Sequence, residues 1–247
     1  MLSVGCTMPN GVNLMKQELL TGLQYSIFQG SGALEPSIPS LHNASYSFWK
    51  SFWESFYRDA GSESSFSADN FHRQDFVTIL ARDHEIAAMH LYSLFRLDHL
   101  SDLDHKYLAP YPKDFFPFME KHQATFVLSL EYLTVAPNWR KNICGVSLGE
   151  VLIGCGLRVM SEMGAHAVIA PARADEKKVN EMAYRYGFDC FESGLKMLGC
   201  PIDIVVGFKG MVKESPDPEI AQWVDRYWAK RRDYTASTLG RTNVLAA

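Results

Sequence analysis

The chain has 247 residues, 47% hydrophobic and 13% aromatic, enough to bury a full core but short for two domains. A formal net charge of −4, with no Lys/Arg run longer than Lys230, Arg231 and Arg232, gives no support to a nucleic-acid surface. No apolar run approaches the roughly 18 residues a membrane span needs, and an odd cysteine count without paired metal spacing suits a reducing cytoplasm.

In chain order, residues 1–11 carry no pattern and are expected to be loose. Residues 12–212 read as a single domain, with helices over 12–60 and a core over 75–209. The stretch 213–247 reads as a C-terminal helix and a mobile tail. Leu14, Leu19, Leu20, Leu23 and Ile27 recur at near-helical spacing and predict a helix from Val12 to about Gln29. Phe48, Trp49, Phe52, Trp53, Phe56 and Tyr57 then form one aromatic stripe of a second helix. Its polar face lacks the basic residues of a membrane-surface helix, so the stripe is expected to lie on a core or line an apolar channel.

Phe76–Ala81 and Ile86–Leu97 read as two strands of a hairpin. His84 and His90 are six residues apart on what reads as a strand, so they do not share the helical face a zinc-protease pair requires; no metal site is expected. The segment 98–122 is too long and too aromatic for a plain hairpin loop, and it suits either a lid or a loop packed on itself.

The informative stretch is Thr125 to Gly187. Thr125–Val135 is rich in β-branched and aromatic residues and ends at Pro137, which cannot donate to a ladder. From Val146 onward, Leu148, Val151, Leu152, Cys155, Val159 and Met163 mark one helical face. Arg140, Lys141 and Gly145 lie in the loop between strand and helix. A basic loop feeding the positive end of a helix dipole is suited to phosphate. Gly149, Gly154 and Gly156 sit inside the helix, where each costs roughly 1 kcal/mol against alanine, so either the sheet or a ligand must approach closely there. Beyond it, a short strand His166–Ala170, a helix capped by Asp175 and closed by Gly187, strands Phe188–Phe191 and Ile202–Phe208, and a helix from Asp217 complete the pattern.

This order, and above all Leu133–Leu148 and Asn180–Phe188, resembles the Gcn5-related N-acetyltransferase (GNAT) superfamily over about Asp75 to Lys209. The resemblance implies an α+β fold with a central mixed, mostly antiparallel sheet flanked by helices, here with extra N- and C-terminal helices. It implies an N-acyltransferase passing an acetyl group from acetyl-CoA to a primary amine of a small molecule or peptide. In the family the strand pairs with the pantetheine arm and the loop amides hold the pyrophosphate. Carried over, Leu133 and Val135 are the strand positions, and Arg140, Lys141, Gly145, Val146, Ser147 and Leu148 the phosphate loop. The loop departs from the usual pattern, offering Asn142, Ile143, Cys144, Gly145, Val146 and Ser147.

Many members carry an acid tyrosine four residues before the glycine of the second motif; that place holds Ala183, and Tyr184 follows it about 100° around the helix. Tyr184 is thus the candidate acid. Glu131 is the candidate base, on the strand alternation Val127, Ser129, Glu131, Leu133, Val135, with an ion pair to Arg96 or Arg173 as its structural alternative. The chain is also similar to the N-acyl amino acid and acyl-homoserine-lactone synthases, which imply a long acyl chain from an acyl carrier protein and an amino acid acceptor. A non-catalytic acyl-CoA-binding module is a further alternative, and a homodimer is left open.

Overall fold

The computed structural model describes residues 18–31, 38–62, 66–83 and 85–235. Among these residues, eight strands form one sheet, in the order β6-β7-β5-β4-β3-β2-β1-β8. They are β1 (Gln24–Phe28), β2 (Phe76–Arg82), β3 (Glu85–Arg96), β4 (Phe126–Val135), β5 (Ala167–Arg173), β6 (Asp189–Met197), β7 (Cys200–Phe208) and β8 (Arg232–Asp233). Only β4–β5 and β1–β8 pair in parallel; the other pairings are antiparallel. The sheet is therefore mixed and mostly antiparallel, as expected.

Both faces are covered. On one lie α6 (Leu148–Met163) and α8 (Pro218–Ala229), whose apolar stripes meet Tyr25, Ala88, Tyr92, Leu128, Leu130 and Val205 in the largest core cluster. On the other, α1 (Pro39–Asp59) lays Trp49 against Phe71, Val77, Ile79, Met89 and Leu91. The short helix α2 (Asp69–His72) leads from there into β2. The segment between β3 and β4 folds into α3 (Leu100–Leu103) and α4 (Phe115–Lys121), and it buries Leu108, Tyr111, Phe115 and Met119 against Val127, Ala167, Ile204 and Phe208. It thus packs on itself and on the sheet. The far end of β4, β5 and β7 would otherwise show its apolar face to water.

Several boundaries differ from the sequence reading. Residues 18–21 are helical, but Gln24–Phe28 is a strand, β1, whose pairing with β2 runs from Gln24–Ala81 to Phe28–Val77. Leu23 and Ile27 have helical spacing, yet Tyr25, Ile27 and Phe28 favour a pleated surface and are almost completely buried there. The helix expected over 12–29 therefore ends early, and its residues 12–17 lie outside the described ones. Asp175 is no N-cap: it binds Arg173 and the Lys177 N–H, and α7 (Val179–Arg185) begins later, after Lys178. Gly187 does close α7, with φ +81°. Arg232–Asp233, placed beyond the core by sequence, adds a parallel edge to β1. The loop after β4 holds a 3-10 turn (Pro137–Trp139) and α5 (Lys141–Cys144).

Candidate active site

The site begins at a defect in β4. Leu91 pairs with Glu131 and Met89 with Thr134, so His90 alone faces both Tyr132 and Leu133. This β-bulge is turned by Tyr132, held at φ +55°. A left-handed tyrosine costs on the order of 1–2 kcal/mol. Its ring is fixed by edge contacts with Trp49 and Trp53 at centroid distances of 5.6 and 5.0 Å.

Two consequences follow. First, the expected alternation breaks: Leu128 and Leu130 face α6, Val127 faces the opposite side, and beyond the bulge Leu133 and Val135 return to the α6 side. Glu131 therefore does not share a face with Leu133 and Val135, because the extra residue resets the pleat. Second, β4 and β5 part. Their ladder runs from Val127–Ala167 to Ser129–Ile169, after which β4 follows β3 and β5 follows β7.

The parted ends leave a cavity of about 80 Å³. Its walls include Leu130, Leu133, Ile153, Val179, Ala183 and Phe188, with Trp53, His90, Tyr132 and Arg173 as the side chains carrying polar atoms. Trp53 Nε1 donates to Thr134 Oγ1 at 2.8 Å, Tyr132 and Tyr57 share a hydroxyl contact of 3.4 Å, and Arg173 pairs with Asp175 while its guanidinium stands 4.9 Å from the Phe56 ring. The aromatic helix α1 thus reaches the cavity through Trp53. The insertion does not supply its lining: Tyr111, Phe115, Phe116 and Phe118 belong to the cluster beneath β5 and β7.

Glu131 is buried among donors. Arg73 binds it through both terminal nitrogens, Gln74 Nε2 donates at 3.2 Å and Ser129 Oγ at 2.6 Å. The ion-pair partner is Arg73; Arg96 is taken by Asp98 and Arg173 by Asp175. Arg73 gave no sequence signal, since its partner lies 58 residues away and only the sheet brings them together. Tyr184 donates to Asp203 Oδ2 at 2.6 Å, beside Asn180 at 2.8 Å. Burial and then the Asp203 carboxylate raise its pKa. Ala183, one residue earlier, meets the cavity instead.

The loop residues divide. Arg140 and Lys141 are exposed, whereas Val146 and Leu148 are buried in the α6 core, so only their backbone amides could meet a ligand. Gly145 has φ +87° and closes α5, with its N–H on the Lys141 carbonyl at 2.8 Å. Ser147 caps α6 by accepting from the Glu150 N–H. Glu150 itself is fully buried and paired with Arg185 of α7. The helix glycines are explained by protein rather than ligand. A Cβ on Gly154 would lie 2.6 Å from Val224 Cγ2, and one on Gly156 would lie 3.2 Å from the Tyr92 ring.

His90 was set aside in the sequence except as a weak metal candidate, and His84 lies outside the described residues. Among these, no group of three or more His, Cys, Asp or Glu could hold a metal ion, and no helix is long and apolar enough to cross a membrane. Ala88, His90 and Tyr92 share the α6 face by alternation, a signal that could have placed His90 in the core.

No family model and no curated protein matches the chain. Solved structures do. The coenzyme A-dependent acyl-homoserine lactone synthase BjaI, with SAM and isopentyl-CoA, superposes at TM-score 0.52 and 10% identity, over 90% of this chain and 100% of that one. An acyl-CoA N-acyltransferase from Pseudomonas aeruginosa gives 0.47 and 13%, over 75% and 99%. A GNAT-family acetyltransferase from Listeria monocytogenes gives 0.42 and 14%, over 76% and 95%. The chain has the fold of the GNAT acyl-CoA N-acyltransferases. Within that fold, its likeness to the lactone synthase takes in nearly the whole chain.

Proposed function

We propose that the protein is an N-acyltransferase that takes a short acyl group, acetyl or slightly larger, from coenzyme A and passes it to a primary amine of a small molecule or peptide. The observation that carries this reading is the parting of β4 from β5 at the Tyr132 bulge, directly ahead of the α6 N-terminus. A thioester arm laid between the strands finds the unpaired edge of β4 at Leu133 and Val135. Its pyrophosphate then falls at the loop Arg140–Leu148, where Arg140 and Lys141 supply charge and the first amides of α6 supply donors. The amine nitrogen forms its bond to the thioester carbonyl carbon, the C–S bond breaks, and the thiolate leaves with a proton.

A short acyl group is favoured by the cavity, whose roughly 80 Å³ suits a handful of heavy atoms. A long chain from an acyl carrier protein needs several times that volume. The synthase-like alternative, with an amino acid acceptor, draws its support from the aromatic helix that brings Trp53 to the cavity. We read the setting as cytoplasmic, since Cys155, Cys190 and Cys200 are free thiols.

Glu131 has about four lone-pair sites as a carboxylate, and its four donors occupy them. We therefore read it as a positioning residue that braces the bulge through Arg73, in place of the general base expected from the strand pattern. Tyr184 is read as the tie between α7 and β7 rather than as the acid. Calorimetry with acetyl-CoA tests the coenzyme assignment: Gly145→Asp puts a carboxylate at the loop and should weaken binding at least tenfold. Unchanged affinity would move the coenzyme elsewhere. Mass spectrometry of amines incubated with the protein and acetyl-CoA tests the transfer itself.

A further inference from the structure

Arg173 carries the only formal charge among the residues that line the cavity, since burial holds the His90 pKa down to about 3 and leaves that ring neutral. As the last residue of β5 it shares a strand face with Ile169 and Pro171 and pairs with Ile202. Ile169 and Ile202 pack on the face away from α6, whereas Ala170 and Ala172 pack toward it. The Arg173 side chain therefore lies on the α1 side of the sheet, where its guanidinium stands 4.9 Å from the Phe56 ring. Phe56 in turn meets Trp53, which lines the cavity, edge to face at 5.3 Å. Arg173 thus joins the β5 wall of the cavity to the α1 wall.

Only part of its hydrogen-bonding capacity is used. Nε and Nη2 both donate to one oxygen of Asp175, Oδ2, while Oδ1 accepts from the Lys177 N–H. That occupies the side-on edge of the guanidinium. The end-on edge, formed by Nη1 and the second Nη2 proton, donates to no atom of the described residues. Nη1 is not among the buried polar atoms that lack a partner, and the side chain is 20% exposed, so this edge is open to a ligand. Two parallel N–H groups on a planar fork match the two oxygens of a carboxylate. The loop Arg140–Leu148 leads into α6 on the other face, so coenzyme phosphates held there do not compete for it.

Resting on the coenzyme A reading above, we propose that the acceptor is a small amine that also carries a carboxylate, gripped end-on by Arg173. Asp175 fixes the guanidinium from the side and Phe56 backs it, so the fork is in place before the acceptor arrives. The amide of the same acceptor, or the amine without its carboxyl group, keeps the apolar contacts with the wall and loses the charge-assisted pair. Arg173 is on this reading a specificity-determining residue. It takes no part in the breaking of the thioester.

The test compares leucine with leucinamide and 3-methylbutylamine, and phenylalanine with phenylalaninamide and 2-phenylethylamine. Each is measured by calorimetry with the full chain saturated in free coenzyme A, and by release of the coenzyme thiol from acetyl-CoA. The expected result is a preference of roughly tenfold or more for the acid over its amide and amine in at least one set. Arg173→Gln should bring acid and amide to within about twofold while leaving the affinity for free coenzyme A unchanged. If that variant does not fold, Arg173→Lys keeps the pair with Asp175 and removes the end-on fork, and it should weaken the preference in the same direction. Equal binding of acid, amide and amine by the wild type would overturn the proposal and leave the coenzyme reading intact. A preference that survives in the Arg173 variant would do the same, as would coenzyme binding with no acid bound or acylated. Failure of free coenzyme A itself to bind would remove the coenzyme reading and this proposal with it.

Discussion

At Glu131 one arginine decides between holding and reacting. The carboxylate is buried and Arg73 reaches solvent at its rim, so Glu131→Gln removes one charge and strands the other. Breaking a buried pair from one side costs about 3 kcal/mol, and at this chain length that lowers the melting temperature by roughly 10 °C. We expect this loss in a thermal melt, with kcat reduced only as far as the loosened bulge misplaces the strand end. A hundredfold fall in kcat at an unchanged melting temperature would return Glu131 to the role of base. Tyr184→Phe poses the matching question on the other strand. Asp203 keeps Asn180 Nδ2 and the Gly194 N–H as donors, so the variant should lose about 1 kcal/mol and little activity. An acid needs to give its proton up, and burial together with Asp203 makes Tyr184 hold it more firmly. A large drop in kcat with stability intact would sink that reading.

The elements show why glycine is tolerated inside α6. Alanine at Gly154 would gain roughly 1 kcal/mol of helix propensity, but its Cβ would sit 2.6 Å from Val224 Cγ2 and 2.7 Å from the Tyr186 hydroxyl. That hydroxyl is itself tied to the Glu150 carbonyl at 2.6 Å and cannot yield. Overpacking wins, and Gly154→Ala should destabilise by about 1–2 kcal/mol in urea titration, acting through α6 and α8. At Gly149 the nearest atom is Met182 Sδ at 3.3 Å, a flexible neighbour, so Gly149→Ala should stay near neutral. Equal effects at both positions would mean that propensity, not close approach, sets the cost.

The same elements mark what the sequence could and could not disclose. The hairpin, the strand-to-helix join and the Asp217 cap are local patterns, and each was legible; the cap is realised as the Ile220 N–H on Asp217 Oδ1 at 2.9 Å. The Tyr132 bulge was not, because one residue in left-handed conformation leaves the composition of a strand unchanged and only register reveals it. With the bulge hidden, the faces of Leu133 and Val135 relative to Glu131 were assigned by a pleat that does not continue. The loop Arg140–Ser147 was placed correctly after β4, but the burial of Glu150 and its pairing with Arg185 depend on α7 packing beside α6. β1 was misread for the converse reason: Leu23 and Ile27 have helical spacing, and only pairing with β2 makes the segment extended.

For the molecule as a whole, the buried imidazole that shapes the cavity also sets a limit on acid stability. His90 has an ordinary pKa of 6.5 when unfolded and about 3 when folded, because burial excludes the charged ring. Between those values the unfolded chain binds the proton and the folded chain does not, so protonation favours unfolding. The stabilising contribution of neutral His90 is thus complete above about pH 6.5 and is lost as pH falls toward 3, at up to about 1.4 kcal/mol per pH unit. His105, lowered chiefly by burial, adds to the loss in the same direction. Asp75 acts oppositely: burial raises its pKa, so its folded form prefers the proton and gains as pH falls through its own range. Asp98, held down to about 2 by its bond to Arg96, begins to matter only below the ordinary carboxylate range. The window from pH 6.5 down to about 4 therefore belongs mainly to His90. Urea titrations across it should show stability falling steadily in the wild type, and a nearly flat profile in His90→Leu despite its lower stability at neutral pH. Parallel profiles for the two proteins would show that the ring takes up its proton without unfolding the chain, and that the chamber around it is open to water.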